Sequence, residues 1–346
     1  MGTVVRGRAE KSAGSRFTLF GLVVGLLLAG ALPASATGLT DHLRAVRGAQ
    51  YIAAQQKASG AFPGFSAVGS TADAVIALVA ARQGSATVAG AVRYLKEKVA
   101  AGRVGTIGLQ AKVALALEAA GRNPRAAGGR DLIAGLQDTL GAGGHYGASA
   151  VFDDALAVLA LEGAGVTPPV SAFAWLATAQ CPDGGWQYDA PYAPATDDAH
   201  CFTGDAATDY FESDTNTTAY VVMAFAGAGA GDWPSDPFGF FAAIRDTARG
   251  GWGYTWGTQT TDANSTALVI QAYAATGATR PGGAMAALRG LQLSCGAWAY
   301  TWKGRSPGAP DAGATIGAVP GILGRGLPLQ GSGFDTARPA QPRACA

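Results

Sequence analysis

The sequence has little charge and little histidine. Only 14% of its 346 residues are Asp, Glu, Lys or Arg, well below the usual share of about a quarter, and the formal net charge is +1. A near-neutral chain without a basic stripe lacks the phosphate contacts of nucleic-acid binding, so we expect no nucleic-acid partner. The low charge does not indicate disorder, because 49% of the residues are hydrophobic and 9% are aromatic.

One long apolar run lies near the N-terminus. Four basic residues precede an apolar segment from Phe17 to Leu32, and residues 34–36 (Ala-Ser-Ala) fit a small-x-small cleavage site. The segment is short for a bilayer span. We therefore predict a signal peptide over residues 1–36 and an exported protein, either secreted or associated with the cell surface.

Cysteine is scarce as well, with 4 residues in the chain. An even number in an exported chain predicts disulfide bonds, although the sequence leaves the pairing open. The cysteines are Cys181, Cys201, Cys295 and Cys345. Asp198, His200 and Cys201 could be read as zinc ligands, but with only 3 His in the chain no metal site is predicted.

Internal repetition, in contrast, is strong. Six stretches rich in Ala, Leu and Val recur along the chain, and a glycine follows eleven residues after the start of each. Each stretch predicts a three-turn helix that is ended by its glycine. The stretches begin at Asp73, Gln110, Asp154, Thr218, Thr266 and Thr315, and the glycines are Gly84, Gly121, Gly165, Gly229, Gly277 and Gly326.

A second element precedes four of these helices. It consists of a hydrophobic pair, a polar residue four positions later, a glycine after four more, and an aromatic residue two positions beyond. The glycine allows a tight turn, and the aromatic ring packs onto the next unit. The four elements begin at Tyr51, Trp175, Phe241 and Ala287 and end at Phe62, Trp186, Trp252 and Trp298.

These repeats together predict the architecture. A helix of small apolar residues is buried on all sides, so six such helices need a second layer of more polar helices around them. We predict an all-α fold in which six helix pairs close into an (α/α)6 toroid over residues 37–330. A flexible Gly- and Pro-rich tail over residues 331–346 would follow.

The segment from Trp175 to Trp186, with Gln180 and Gly184, matches the QW motif of squalene-hopene cyclases. The chain therefore resembles the α-toroid superfamily of terpenoid cyclases and protein prenyltransferases (prenyltransferase/squalene oxidase repeats) over residues 41–330. That superfamily also includes the helical domain of transcobalamin-like carriers. The resemblance implies the fold, while function must be argued from the site.

The catalytic motifs of that superfamily are not matched. Two segments resemble the cyclase motif Asp-x-Asp-Asp-Thr-Ala, but Asn216 and Asn264 stand where the proton-donating Asp is expected, and an amide cannot donate that proton. The zinc site of prenyltransferases would begin at Asp311, but Gly313 replaces its Cys ligand and no His follows. We therefore predict no catalytic residue, no metal and no required cofactor, and catalysis with an altered site is the alternative.

The transcobalamin-like interpretation agrees best with an exported, disulfide-bonded chain. It predicts capture of a corrinoid (cobalamin), or of a similarly large and partly apolar ligand, for uptake. The residues after Leu329 are too few for the β-rich domain of such carriers, so a separate β-domain or a membrane uptake protein would be the partner. Two alternatives are a cyclase- or prenyltransferase-like enzyme and a protein-interaction toroid; a glycoside hydrolase or lyase on the same fold is also open.

Candidate binding residues concentrate in the loops of the last three units. Three similar aromatic loops are each followed by an Asp at a predicted helix start. If the ring closes, these side chains face one opening, where exposed aromatics, carboxylates and amides would suit a large, flat ligand. Each of them could instead serve packing or helix capping. The predicted ligand-binding residues are Trp186, Tyr188, Asp214, Asn216, Trp252, Tyr254, Trp256, Asp262, Asn264, Trp298, Tyr300, Trp302 and Asp311.

Overall fold

The computed structural model describes residues 35–147, 150–189, 212–229, 233–331, 333–335 and 345. The first 34 residues of the predicted signal peptide, and Asp198, His200 and Cys201, lie outside these ranges. The described helices are α1 (Ser35–Ala54), α2 (Ala67–Ala80), α3 (Ser85–Ala100), α4 (Ile107–Ala119), α5 (Leu132–Gln137), α6 (Val151–Gly163), α7 (Val170–Thr178), α8 (Thr215–Gly227), α9 (Pro237–Ala243), α10 (Ala263–Thr276), α11 (Ala284–Gly290) and α12 (Ala312–Ile322).

The even-numbered helices form a closed inner ring. Each of them packs against the next even-numbered helix, and α12 packs against α2 to complete the circle. The odd-numbered helices lie outside this ring, each against its neighbours in the chain, and α1 also packs against α12. The predicted all-α (α/α)6 toroid is confirmed.

The composition of the inner helices follows from this position. In α6, every residue from Ala155 to Leu161 is at most 1% exposed. Such a helix has neighbours on both sides in the ring and an outer helix behind it, so it needs small and aliphatic side chains all round. Among the described residues, no helix combines the length and the apolar character that a membrane crossing requires.

Four of the predicted helix-ending glycines are confirmed. Gly121, Gly165, Gly229 and Gly277 have φ between 65° and 71°, the left-handed conformation that glycine adopts without a steric penalty. The first and last units differ from the prediction. Gly84 is the residue before α3, and Gly326 does not have a positive φ.

In the first unit the predicted register is wrong by two residues. Thr71, and not Asp73, accepts the hydrogen bond from the Phe62 main-chain N–H, as Thr218 does from Trp186. Counting from Thr71, the left-handed position falls on Arg82, whose φ is 57°. In the last unit Gly324 takes this conformation (φ 59°), because α12 already ends at Ile322.

The strands are short and lie beside the last inner helix. β1 (Trp298–Ala299) pairs with β4 (Pro310–Asp311), and β2 (Trp302–Lys303) pairs with β3 (Ser306–Pro307), both antiparallel. They form the last of the three aromatic loops at the end where the inner helices begin. We call this end the mouth and the opposite end, where the inner helices finish, the floor.

The chain after α12 crosses the floor. The Leu327 N–H lies 3.4 Å from Met223 Sδ, Gln330 donates to the Gly163 main-chain oxygen, and the Asp335 N–H donates to the Arg82 main-chain oxygen. The start of the predicted tail thus packs against the inner helices, while its flexibility stays a prediction.

One disulfide bond joins Cys295 to Cys345. Cys181 is disulfide-bonded as well. The prediction of disulfide bonds is therefore confirmed, and it is compatible with an extracellular location.

Candidate functional site

Three of the predicted binding residues, Trp186, Trp252 and Trp298, are completely buried. Each indole N–H donates to a main-chain oxygen of the preceding outer helix at 2.6–2.8 Å. Each main-chain N–H donates to a threonine of the next inner helix at 2.9–3.0 Å. The prediction that these rings are exposed is wrong, because burying a large ring with its N–H satisfied stabilises the junction between the two helices of a unit.

The other predicted aromatic residues lie nearer to the mouth. Trp256 and Tyr300 are 38% and 46% exposed, and the Trp256 indole N–H donates to Asp183 at 3.1 Å. Tyr254 and Trp302 are half-buried, and Trp302 stacks under the guanidinium group of Arg249 at 4.1 Å. Two predicted aromatic side chains are thus well exposed at the rim.

The three predicted carboxylates are helix caps. Asp214 accepts main-chain N–H bonds from Asn216 and Thr217 at 2.9 and 2.7 Å. Asp262 and Asp311 each accept one such bond at 2.8 and 2.7 Å. Burial raises the pKa of Asp214 to about 7 and that of Asp262 to about 6. Their capping role accounts for the position of all three side chains.

A cavity of about 330 Å³ lies inside the ring below these caps. Its wall is built in layers, since inner helices present residues to the axis once per turn. The upper layer contains Phe152, Asn216, Asn264 and Gly313, and the next contains Asp73, Lys112, Tyr220, Leu268 and Gly317. Leu327 lines it from the floor, and Phe65, which is fully exposed, lines it at the rim. Asn216 and Asn264 are therefore the predicted residues that the structure places in the cavity wall.

An ion pair dominates one side of this wall. Lys112 Nζ of α4 lies 3.0 Å from Asp73 Oδ2 of α2. Burial alone lowers the pKa of Lys112, but the negative charge of Asp73 outweighs it, and the net direction is upward. Burial raises the pKa of the neighbouring Tyr220 to about 12. Lys112 is thus a fixed cation, next to a neutral phenol, in an otherwise largely apolar cavity.

Aromatic rings connect this ion pair to the edge of the mouth. Phe152 stacks on the predicted residue Tyr188 and meets Tyr220 edge-on, both at 5.2 Å between ring centres. Asp153 follows Phe152 in α6, and burial raises its pKa, while the Gly108 N–H and Lys112 act against this. The Asp73–Lys112 side of the barrel thus holds two carboxyl groups, an ammonium group and two phenols.

Sequence reasoning missed Asp73, Lys112, Asp153 and Tyr220. A signal was present, because Asp73 and Lys112 are charges within stretches that, apart from Gln110, otherwise consist of Ala, Val, Leu and Ile. A charge in a helix that is buried all round needs a partner or a function. Within the described ranges, no three His, Cys, Asp or Glu side chains come together as metal ligands would.

Solved structures share this fold. A type II terpene cyclase from Scytonema, in complex with geranylgeranyl dihydroxybenzoate, is 12% identical with a TM-score of 0.55, covering 83% of this chain and 98% of its own. An α-1,6-mannanase from Salegentibacter, an inactive variant in complex with α-1,6-mannotriose, is 12% identical with a TM-score of 0.54, covering 84% and 98%. A protein from Actinoplanes is 14% identical with a TM-score of 0.51, covering 82% and 99%.

At these identities the likeness shows the fold alone. No protein-family model matches the chain, and no curated protein matches it significantly.

Proposed function

We propose that the chain is an enzyme of the toroid type, which uses the Asp73–Lys112 side of its cavity for acid–base chemistry on a small, partly apolar molecule. The observation that carries this proposal is the ion pair in the cavity wall, with Lys112 and Asp73 3.0 Å apart. The Lys112 and Asp73 side chains are 22% and 35% exposed, and an ion pair of this kind adds little to stability, so packing gives no reason for it.

The wall supplies the groups that acid–base catalysis uses. Lys112 can stabilise negative charge that develops on a substrate, while Tyr220 can donate a proton and the Asp73 carboxylate can accept one. Asn216 and Asn264 provide amides that orient polar substrate atoms from the opposite part of the wall. The structural neighbours include two enzymes with different substrates, so the fold is compatible with catalysis but does not choose the reaction.

The size of the cavity limits the substrate. About 330 Å³ is at the lower end of the range for small-molecule pockets. A corrinoid with its amide arms is several times larger, so it could contact only the rim. The cavity therefore gives no support to corrinoid capture, which stays a prediction from the sequence resemblance, as do the separate β-domain and the membrane uptake partner.

The test combines substrate screening with a neutral replacement of the ion pair. The chain from residue 37 is incubated with panels of small isoprenoids, phenols and oligosaccharides, and products are detected by mass spectrometry. We expect turnover with the wild type and its loss in the double variant Lys112→Met/Asp73→Asn, which leaves no unpaired charge in the cavity wall.

The matched control is Lys98→Met, because Lys98 lies on α3 outside the ring, 5.0 Å from the Tyr94 ring. It should keep full turnover, and melting curves should show all three proteins folded. Equal turnover in the double variant would place the active site elsewhere. Saturable binding without any product would instead make the chain a carrier.

A further inference from the structure

Charge is distributed very unevenly along this nearly neutral chain. Residues 93–130 contain 8 Lys or Arg and 2 Glu, whereas residues 131–244 contain 15 Asp or Glu and neither Lys nor Arg. At the surface of the first segment the basic residues outnumber the acidic ones even more strongly, because Lys112 faces the cavity and Glu118 is buried. The surface of that segment therefore carries seven cations and a single carboxylate, Glu97.

A groove runs through this basic surface. It lies between α3 and the loop of residues 122–130 and has a volume of about 500 Å³. Arg93 and Lys96, one helical turn apart on α3, form one side together with Glu97, and Arg122 stands on the other. Alanine and valine side chains of α3 form its base.

The loop that completes the groove is fixed by its own contacts. The Asn123 side chain accepts the Arg125 N–H at 2.9 Å, and Ala127 and Arg130 exchange two main-chain hydrogen bonds at 2.9 and 3.0 Å. Gly128 has φ 56° and packs so closely on the main chain of α3 that no Cβ would fit there. The groove is thus formed in advance, which lowers the entropy cost of binding.

Its cations are available to a ligand. Arg93 pairs only loosely with Glu97, at 3.9 Å and with both side chains about two-thirds exposed. Lys96, Arg103 and Arg122 have no carboxylate within ion-pair distance among the described residues. The cations from residue 93 to residue 103 span roughly 15 Å of helix and turn, so a ligand must carry several charges to use them.

We propose that this groove binds an acidic polysaccharide, a linear chain with a sulfate or a carboxylate on its sugar units. Guanidinium groups bind both anions through paired hydrogen bonds. The groove is shallow, and its apolar side chains are only alanine and valine, which are too small to insert into a bilayer. A single-stranded nucleic acid would use aromatic side chains for base stacking, and none of the described residues that line the groove is aromatic.

The test measures binding of the chain from residue 37 to immobilised heparin, which is sulfated, and to polygalacturonate, which carries carboxylates. Single-stranded DNA and vesicles with anionic lipid are run beside them at about 50 and 150 mM salt. We expect saturable binding to at least one glycan that weakens as salt is raised. The groove variant should reduce this affinity by at least about 10-fold. It combines Arg93→Glu, Lys96→Glu and Arg122→Glu.

A control variant makes the same change in net charge at exposed positions away from the groove. It combines Arg47→Glu, Lys303→Glu and Arg305→Glu. Its glycan affinity should stay within about 2-fold of the wild type, and both variants should melt like the wild type. An equal loss in both variants, no glycan binding at the lower salt, or tighter binding of DNA or vesicles than of either glycan would overturn the proposal.

Discussion

Buried carboxyl groups lie at both ends of the barrel, but their surroundings differ. At the mouth, Asp154, Asp214 and Asp262 each accept at least one main-chain N–H bond. At the floor, no described residue donates a hydrogen bond to a carboxylate oxygen of Glu118 or Glu162. Burial raises the pKa at both ends, to about 6–7 for the three Asp and to about 8 for the two Glu.

The difference shows what a main-chain donor contributes. An N–H bond stabilises the charged carboxylate and offsets part of the cost of burial, whereas the floor carboxyls are stable in the apolar interior chiefly when protonated. Glu118 and Glu162 lie against Gly163 and Gly227, where a Cβ would collide with them. The mouth is thus held by directional polar contacts, and the floor by close packing.

The largest loss of stability should come from replacing a buried tryptophan at the mouth. Trp252→Ala removes a completely buried ring and its hydrogen bond to Phe241, so we expect a loss of about 3–5 kcal/mol in the free energy of unfolding, measured by urea titration. The control Trp256→Ala removes a ring that is 38% exposed and should cost less than about 1 kcal/mol. Similar losses would show that the two aromatic positions are not as different as their burial indicates.

At the floor, stability should depend on pH. The pKa of Glu118 and Glu162 is raised from 4.5 to about 8, so the folded state holds protons that the unfolded state releases. Their contribution is complete below about pH 4.5 and is lost as the pH rises through about 8. The free energy of unfolding is measured at pH 5 and at pH 9. Between these two values the wild type should lose about 1–3 kcal/mol more stability than Glu118→Gln does. Glu97→Gln, on the exposed face of α3, should leave the pH dependence unchanged.

The fold was predictable because its signals are local and repeated. The glycine spacing and the aromatic turns each occur several times, so one misplaced register around Arg82 did not change the architecture. The site was not predictable in the same way. Lys112 and Asp73 are 39 residues apart and meet only because α2 and α4 are neighbours in the ring. Trp252 was predicted to bind a ligand because its motif repeats. The motif repeats because a tryptophan packs at the junction between the outer and the inner helix of each of these units.

A smaller loss of stability is expected when Asp214, the N-cap of α8 at the mouth, is replaced. Asp214→Ala leaves the first N–H groups of α8 without their acceptor and should cost about 1–2 kcal/mol in the free energy of unfolding. Asp214→Asn keeps an acceptor oxygen and should cost less than about 0.5 kcal/mol near neutral pH. Chemical denaturation of both variants checks this. Equal costs would mean that the charge at this position matters more than the capping bond.

The smallest net change should occur at Arg82. Arg82→Gly relieves a left-handed conformation, worth about 1 kcal/mol, but removes the ion pair with Asp335 at 3.2 Å. In the wild type the gain from the relieved backbone and the loss of the ion pair should nearly cancel. In a protein that already carries Asp335→Ala, Arg82→Gly should increase stability. A double-mutant cycle in thermal unfolding measures the coupling. If Arg82→Gly changed the stability of the wild type and of the Asp335→Ala variant equally, the two residues would not be coupled and the prediction would be wrong.

The segment that crosses the floor also restricts how a molecule can use the barrel. Residues 327–331 lie over the ends of the inner helices, and Leu327 forms the bottom of the cavity. A polymer therefore cannot thread through the ring and be processed along its length. Whatever enters from the mouth must leave by the mouth, so, for the enzyme that we propose, each product would have to depart before the next substrate arrives.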